Sequence, residues 1–354
     1  MKRQVLTLIG ATTTVVLSMA APSGQVPGAT PPSKLGVTKP WTNQRTPWGD
    51  PNLQGIWSGG YVETAMERPK EFGGREFLTD ADVKAAIDRI KAGEDHSVGG
   101  TKSTQAKEGD TGAYNTVFSG RGREVIRNRR TSYVIDPPDG QIPFKPELRK
   151  RALEEKQMSR SGAAGSVNED NERGGEGPED RPNDRCRGFA LPHQFTHAEA
   201  GGAHHRIVQS QGSVSIYYEY GPHGGAYRTI PLDGRPHLAS SVRQWLGDPV
   251  GHWEGETLVV DTTNFTNQTN YYGARENLHL VERFTRMAPD LIMYHATIED
   301  PTMFTRPWTI EVPLTKKDDK ANQIFETACH EGNRSLTGIL AGARANEKEE
   351  AAKK

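Results

Sequence analysis

Short apolar runs rich in β-branched residues, each closed by turn residues, fill the second half of the chain and constrain its fold more than any other feature. The runs that predict strands are Arg206–Ser210, Val214–Tyr220, Tyr227–Leu232, Thr257–Thr262, Leu278–Thr285, Leu291–Glu299, Thr309–Leu314 and Ile324–Cys329. Turn pairs such as Asp233-Gly234 and Glu254-Gly255 separate them. This succession predicts a mainly β fold, an antiparallel barrel or a strongly curved sheet.

The first half of the chain adds fewer regular elements among long polar loops. Two further strands are predicted at Leu53–Trp57 and Thr131–Ile135, and helices at 79–91, 145–158 and 334–348. Thr79, with Asp82 three residues later, is a variant of the capping box that begins many helices. We therefore expect a few peripheral helices around one β-rich core.

The N-terminus has the three-part layout of a secretory signal peptide. A basic pair at positions 2 and 3 precedes an apolar stretch, Val5–Leu17, and small residues follow as far as Ala20 and Ala21. The stretch is short for a bilayer span, and no second hydrophobic run reaches membrane length. We expect residues 1–21 to be removed during export, leaving a periplasmic or secreted protein without a membrane anchor.

Composition divides the rest of the chain into three parts. Residues 22–45 are rich in Pro, Gly, Thr and Ser and predict a linker, 46–345 predict a single β-rich domain, and 346–354 predict a charged tail. Within the domain, 159–184 holds almost nothing to bury and predicts a mobile polar loop. The 38 Gly, 23 Pro and 34% hydrophobic residues are typical of a turn-rich β protein.

Charge and cysteine content narrow the class of function. With 44 Lys+Arg against 45 Asp+Glu, the formal net charge is −1, so the chain offers no overall field that would attract nucleic acid. The two cysteines are Cys186 and Cys329, and in an oxidising compartment such a pair most simply forms a disulfide. We expect a small molecule as the partner and no cofactor, while the oligomeric state stays open.

Five phrases of the sequence carry a family resemblance. They are Pro51–Trp57, Arg130–Gly140, Ile230–His237, Trp253–Phe265 and Ala328–Asn333. Over most of its length the chain resembles a large family of secreted, mostly uncharacterised proteins of soil and environmental bacteria, which implies export but no particular reaction. The segment between Pro192 and His205 departs from that family. The phrase Gly55-Ile56-Trp57 is also similar to the first strand of lipocalins, which implies a lipocalin-like barrel with the indole closing one end.

Ionisable side chains concentrate on two adjacent predicted strands, where we look for acid/base chemistry. Alternation along the first strand places His279 and Arg283 on one face and Glu282 on the other. His279 is the first candidate for proton transfer, because the imidazole pKa lies near neutrality. Its carboxylate partner would be Glu282 or Glu299. The alternative is a solvated face with ordinary cross-strand ion pairs.

Further candidate residues extend this site. His330 and Glu331 follow Cys329 directly, so they form a second acid/base pair on a fixed loop or simply begin the last helix. The candidate substrate-binding residues, chosen as charge clamps, rim residues or aromatic walls, are Arg243, Arg283, His223, Arg228, Asp261, Tyr218 and Trp245. Asp261 can equally be a turn former at the end of its strand.

A metal site is the alternative for four histidines. They are His193, His197, His204 and His205. The spacing of His193 and His197 suits one face of a helix, but Pro192 before them and the glycines after them favour a loop. The chain contains neither an HExxH motif nor paired CxxC motifs, and it lacks the Gly-x-Ser-x-Gly motif of serine hydrolases. We therefore expect chemistry that does not depend on a metal.

Together these features predict an exported, metal-independent hydrolase or lyase. It would apply a His/carboxylate pair to a small organic or carbohydrate-derived substrate, because acid/base chemistry needs two differently tuned groups. The alternative is a lipocalin-like carrier, in which aromatic residues such as Tyr218 and Trp245 line a pocket for a small amphipathic ligand. A carrier would return its ligand chemically intact, and an enzyme would not.

Overall fold

A computed structural model describes residues 42–59, 65–91, 125–160, 190–192, 204–219, 226–318, 320 and 335–353. The chain divides into two units, Met1–Leu35, which lies outside these ranges, and Gly36–Lys354, which contains all of them. The predicted signal segment and most of the predicted polar loop at 159–184 therefore lie outside the described residues. Within the described ranges, no helix combines the length and the apolar character that crossing a bilayer requires.

Strands dominate the regular structure of these ranges. The strands are β1 (Gly55–Ser58), β2 (Val134–Asp136), β3 (His204–Ser210), β4 (Ser213–Glu219), β5 (Ala226–Pro231), β6 (Asp248–Glu254), β7 (Thr257–Thr263), β8 (His279–Ala288), β9 (Leu291–Glu299) and β10 (Trp308–Lys317). The sequence does not predict β6, because Pro249 and Gly251 interrupt its alternation. The predicted strand Ile324–Cys329 lies outside the described residues.

The described ranges also contain a short 3-10 helix, Lys70–Phe72, and three α-helices. The α-helices are α1 (Asp80–Lys91), α2 (Pro146–Arg160) and α3 (Ser335–Lys353). The predicted capping box of α1 is confirmed, since the Thr79 amide donates to Asp82 Oδ2 at 2.7 Å and the Asp82 amide donates to Thr79 Oγ1 at 3.2 Å. The last helix continues through 346–353, most of the stretch predicted as a charged tail.

The strands form one antiparallel sheet in the order β5-β4-β3-β1-β10-β9-β8-β7-β6, with β2 beside β10. Two meanders, β3 to β5 and β6 to β10, make up most of it, and β1 joins them by pairing with β3 on one side and β10 on the other. Glycines at positive φ, Gly212 and Gly255, make the tight turns that end β3 and β6. The predicted mainly β, antiparallel class is confirmed.

The sheet curls until its two edge strands, β5 and β6, lie next to each other. At this seam a side chain on Gly251 would meet Ile230 Cγ2 and Leu232 Cδ2, each 2.7 Å from the position of the missing Cβ. Glycine therefore allows the edges to approach closely at this point. The sheet is nearly closed into a barrel, so each strand has one inner and one outer face.

Burial alternates with the period of two that a barrel wall requires. In β8 the even-numbered side chains from Leu280 to Ala288 are buried, whereas the odd-numbered ones are half-buried. The inner faces of neighbouring strands line up in rows, one of which is Val260, Glu282, Ala296 and Ile310. The core is thus mostly apolar, and the polar side chains on its inner face stand out.

Candidate functional site

A buried ion pair crosses the inside of the barrel. Arg228 on β5 donates from Nη2 to Glu282 Oε2 on β8 at 2.5 Å, and the Tyr294 hydroxyl donates to Glu282 Oε1 at 2.9 Å. The side chains of Arg228 and Glu282 are 4% and 1% exposed. Together with Tyr218, whose ring lies 6.0 Å from the Arg228 guanidinium carbon, these residues form what we call the inner cluster.

Strand alternation and closure of the sheet together assemble the inner cluster. Arg228 lies on the inner face of β5: its side chain is buried, whereas those of its neighbours Tyr227 and Thr229 are exposed. The row that runs from Glu282 toward β5 carries Val260 and Gly251, so no large side chain stands between the two strands in that row. A long arginine side chain can therefore reach the carboxylate.

Burial and the ion pair shift the pKa values of this cluster. Burial lowers the pKa of Arg228, but the Glu282 carboxylate beside it more than offsets this effect and the pKa rises above its usual range. Burial raises the pKa of Tyr218 and of Tyr294 well above the usual value, and the Glu282 charge acts in the same direction on both. At neutral pH both phenols are therefore protonated; the Tyr294 hydroxyl donates to Glu282, and the Tyr218 oxygen accepts from Arg228.

Arg228 has more donors than the described residues satisfy. Its Nε and Nη1 atoms are buried and have no hydrogen-bond partner among the described residues. Since Nε carries one hydrogen and Nη1 two, three of the five guanidinium N–H groups lack an acceptor. Buried polar groups in folded proteins are nearly always paired, so a group left unpaired inside a barrel calls for a functional explanation.

The outer face of the same strands carries a second constellation. His279 Nε2 on β8 lies 3.1 Å from Asp261 Oδ1 on β7, and His279 Nδ1 lies 3.5 Å from Glu299 Oε2 on β9. His237 Nε2 lies 3.1 Å from the same Asp261 oxygen, Oδ1. The Asp261 carboxylate therefore contacts two imidazole rings, and the His279 ring lies between two carboxylates.

The constellation continues toward the segment between β5 and β6. His237 Nδ1 lies 3.2 Å from Asp248 Oδ2, and the Leu238 amide donates to the same oxygen at 2.8 Å. Arg235 Nη2 donates to Asp248 Oδ1 at 2.6 Å. This chain of neighbouring ionisable side chains, which we call the outer network, comprises Arg235, Asp248, His237, Asp261, His279 and Glu299.

Hydrogen bonding shifts the pKa values of His279, Asp261 and Asp248 in the direction that keeps each of these three groups charged. The hydrogen bond to Asp261 raises the pKa of His279, and the same bond lowers the pKa of Asp261. Burial alone would raise the pKa of Asp248, but bonds from Arg235, the Leu238 amide and His237 outweigh it and lower that pKa. His279 is therefore better suited to donate a proton than to accept one.

The outer network is open to solvent at one end. The side chains of His279 and Asp261 are 38% and 40% exposed, whereas that of Asp248 is 1% exposed beneath the loop that carries Arg235. A molecule at the surface can reach His279, Asp261 and Glu299. Chemically, this end offers one proton donor between two carboxylates.

Of the two carboxylates expected as partners of His279, Glu299 lies beside it and Glu282 does not. The side chains of His279 and Glu282 lie on opposite faces of β8, because they are three residues apart on a strand. The carboxylates that face His279 are Asp261 and Glu299, so Asp261 has a role beyond that of a turn former. Of the other predicted ligand-binding residues, Arg228 and Tyr218 lie in the inner cluster.

Three other predicted substrate-binding residues form hydrogen bonds with other parts of the protein. Arg243 Nη1 donates to the backbone oxygens of Phe265 and Glu276, which ties together the loops between β5 and β8. Arg283 Nη2 donates to Glu254 Oε2 at 2.6 Å on the outer surface. The backbone oxygen of Trp245 accepts from Thr269 Oγ1. These three predicted binding residues do not converge with His279 or with Glu282.

Strand alternation separates two of the four histidines that were considered as metal ligands. His204 and His205 are consecutive on β3, so their side chains point to opposite faces, and His205 packs inward 5.0 Å from the Tyr218 ring. The described residues contain no group of three or more His, Cys, Asp or Glu side chains arranged to hold a metal ion. The candidates that lie outside the described residues are His193, His197, His223, Cys186, Cys329, His330 and Glu331.

Sequence reasoning missed His237, Asp248 and Tyr294. His237 closes the Ile230–His237 phrase, and Asp261 lies inside the Trp253–Phe265 phrase, so two of the phrases that carry the family resemblance meet in the outer network. The presence of both residues in these phrases is a sequence signal that could have identified His237. Nothing in the sequence marks Tyr294, because its role depends on which face of β9 turns inward.

No protein-family model matches the chain, and no curated protein matches it. Among solved structures, the chain is similar to a mutant of the fluorescent protein UnaG, at 13% identity and a TM-score of 0.22, over 38% of this chain and 86% of that chain. A likeness this distant carries no argument about function.

Proposed function

We propose that the protein is a carrier whose barrel interior binds a small amphipathic molecule without transforming it. One observation carries the proposal, namely the three N–H groups on Nε and Nη1 of Arg228 that are buried without an acceptor among the described residues. Leaving a buried donor unpaired costs about 1–3 kcal/mol, so a ligand oxygen that accepts from these N–H groups would remove this unfavourable free energy. Apolar and aromatic side chains around it would cover the rest of a small ligand.

The chemistry of the inner cluster favours binding over catalysis. Its ionisable groups, Arg228 and Glu282, neutralise each other's charge, and Tyr294 donates to the second Glu282 oxygen. A catalytic pair needs one group that can gain or lose a proton near neutral pH. The pKa values of Arg228 and Tyr294 are raised far from neutrality, which leaves the cluster suited to hold a ligand in place.

The test is to recover the ligand from the purified protein. The protein is expressed in its full length, purified without detergent, and examined by native mass spectrometry and then after denaturation. We expect a small molecule that is retained by the wild type, lost in Arg228→Met and retained in the matched surface variant Arg283→Met. Retention that does not depend on Arg228, or no retained molecule together with no thermal shift in a ligand screen, would contradict the proposal.

Acid/base chemistry at the outer network is a second candidate function, which makes the protein a metal-independent hydrolase or lyase. The observation that favours it is the half-exposed His279 ring held between Asp261 and Glu299. As an imidazolium, His279 would donate its proton to the leaving oxygen of a small organic or carbohydrate-derived substrate as the carbon–oxygen bond breaks. Asp261 or Glu299 would take the proton of the attacking water in a hydrolase, or of the neighbouring carbon in a lyase. We expect His279→Gln to abolish turnover of culture-derived substrates, while His295→Gln, which alters another strand histidine paired with a carboxylate, leaves it unchanged. Equal turnover in both variants would reject this candidate.

Both candidate functions include export of the protein, and the support for export comes from the N-terminal sequence alone. We propose that residues 1–21 are a signal peptide, for which the basic start, the apolar stretch and the small residues at Ala20 and Ala21 are the support. Expression in a bacterial host followed by N-terminal sequencing of the periplasmic fraction tests it. A mature protein that begins at Ala21 or Pro22 is expected, and a cytoplasmic protein that still begins at Met1 would contradict it.

A further inference from the structure

We propose that the barrel interior recognises an uncharged molecule through its acceptor oxygens, as in an ester, ketone, lactone or amide, and discriminates against anions. The inference rests on the proposed carrier function and names the chemical class of its ligand. It goes against the simplest expectation for a buried arginine, which is that it binds a carboxylate. The reason lies in the partner that Arg228 already has.

The charge of Arg228 is already neutralised. Glu282 lies within hydrogen-bond distance of Nη2 and is itself almost completely buried. An anionic ligand at Nε or Nη1 would place a second negative charge within a few ångströms of this carboxylate, in an interior where like charges are poorly screened. A neutral oxygen can accept from the same N–H groups without that repulsion.

The number of free donors suits carbonyl oxygens. Nε and Nη1 of Arg228 carry three N–H groups without an acceptor in the described residues, and a carbonyl oxygen has two lone pairs. Two such oxygens would therefore satisfy the guanidinium. Because Glu282 occupies Nη2, the paired donors that a bidentate carboxylate uses are partly taken.

Other unpaired atoms on the inner faces are also donors. Nε1 of Trp308, Nε1 of Trp253 and Oγ1 of Thr262 are buried and have no hydrogen-bond partner among the described residues. An indole N–H can only donate, and a threonine hydroxyl can donate. An interior that presents this many unused donors is complementary to a ligand that brings acceptors.

Strand register places these donors on both sides of Glu282. Thr262 and Trp308 belong to the row of inner side chains that also contains Leu280 and Ile298, one step from the row of Glu282. Trp253 belongs to the row of Leu258 and Phe284, one step from Glu282 in the opposite direction, so the donors extend along the barrel. An apolar molecule with more than one oxygen could engage several of them.

The experiment compares acids with their methyl esters, which differ in charge but hardly in shape. The pairs are cis-parinaric acid and its methyl ester, followed by fluorescence, and phenylpropionic acid and its methyl ester, followed by calorimetry, all at pH 8, where the acids are ionised. We expect the wild-type protein to bind at least one ester about tenfold or more tightly than the matching acid, which corresponds to about 1.4 kcal/mol.

Glu282→Gln is the decisive variant, because it removes the negative charge while keeping the size and the oxygen acceptor. We expect this variant to lose the preference for the ester or to prefer the acid, since Arg228 then lacks its counter-charge. Arg228→Met is expected to weaken ester binding at least about tenfold. Arg283→Met, on the outer face of β8, is the control and is expected to bind like the wild type.

The outcomes separate the inference from the proposed function. An acid that binds the wild type as tightly as its ester, or an unchanged ester preference in Glu282→Gln, would overturn the inference while leaving the carrier function in place. Failure of all four compounds to bind would also overturn the inference, whereas the carrier function is decided by the recovery of a retained ligand from the wild type and from Arg228→Met. If Glu282→Gln does not fold, as judged by circular dichroism, the comparison of acid and ester in the wild type decides alone.

Discussion

Glu282 and His279 stand three residues apart on β8, yet each belongs to a different environment. Glu282 is 1% exposed on the inner face and is paired with Arg228, whereas His279 is 38% exposed on the outer face and is paired with Asp261. Both are opposite-charge pairs between strands. From this comparison we expect the side of the barrel wall, rather than the kind of pair, to decide how strongly each pair affects stability.

The two pairs are expected to differ because one is removed from water and the other is exposed to it. Removing two charges from water costs several kcal/mol per ion, so loss of either partner leaves an uncompensated buried charge, and the Tyr294 hydrogen bond adds to the stabilisation of Glu282. On the outer face, water and salt screen the charges and the net gain is small. Loss of one partner should therefore be severe inside the barrel and mild outside it.

The largest effect is expected for Glu282→Ala. This change leaves the Arg228 guanidinium buried without its carboxylate, and we expect the free energy of unfolding to fall by about 3–5 kcal/mol in urea denaturation. The double variant Arg228→Met/Glu282→Leu removes both charges and should recover most of the loss, because apolar side chains then fill the space. A single variant as stable as the wild type would mean that water reaches the inner cluster.

A smaller effect is expected for Tyr294→Phe, which removes the hydroxyl that donates to Glu282 Oε1. One carboxylate oxygen then lacks its donor, and we expect a loss of about 1–3 kcal/mol. The control is Tyr227→Phe on β5, whose side chain is 74% exposed, and it should change stability by less than about 0.5 kcal/mol. Equal losses for the two variants would remove the contrast between the faces.

On the outer face, His279→Gln tests the pH dependence of stability. The pKa of His279 is raised in the folded protein, so its stabilisation is fully present below the unfolded value near 6.5 and is lost as the pH rises through the folded value. The pKa of Asp261 is lowered, so on the acidic side the pair persists until the pH falls through that value. Since the ring is partly exposed, we expect less than about 1 kcal/mol.

The measurement for this variant is the difference in Tm between wild type and His279→Gln, taken at intervals from pH 5.5 to pH 9. We expect the difference to be largest at the acidic end of this range and to shrink toward the alkaline end. A difference that grows with pH would contradict the assignment of His279 as a cation held by Asp261.

The smallest effect is expected for Arg283→Ala, also on the outer face of β8. Arg283 donates to Glu254 at 2.6 Å, but both side chains are more than 40% exposed. Such pairs contribute about 0.2–1 kcal/mol, and we expect the lower end of this range in low salt and no difference in 1 M salt. A loss comparable with that of Glu282→Ala would show that this surface is covered in the folded protein.

Local sequence patterns predicted much of the wall of the barrel. The bounds of β9 are as predicted, and those of β3, β4, β5 and β7 differ by only a few residues, because alternation and turn residues act within a few positions. The missed strand, β6, contains Pro249 and Gly251, which break the pattern. Gly251 is needed where β6 meets Ile230 of β5, so the position that hid the strand is one that closes the sheet.

The site was predicted only in part, since its partners are far apart in sequence. Arg228 and Glu282 are separated by 54 positions, and His237 and Asp261 by 24. The residue types could be selected from the sequence, as His279, Glu282, Arg228 and Asp261 were. Their pairing could not, because it depends on the curvature that brings β5 beside β6 and on the loop that folds over Asp248.

The sequence by itself determined which side chains share a face, because successive residues of a strand point to opposite sides whatever the tertiary structure. Only the tertiary structure decided which of the two faces turns inward, and with it that Glu282 is buried beside Arg228 while His279 reaches water beside Asp261. Curling a sheet into a barrel is a cooperative, long-range event. The same alternating strand could present either face to the interior until the closing edges fix the choice.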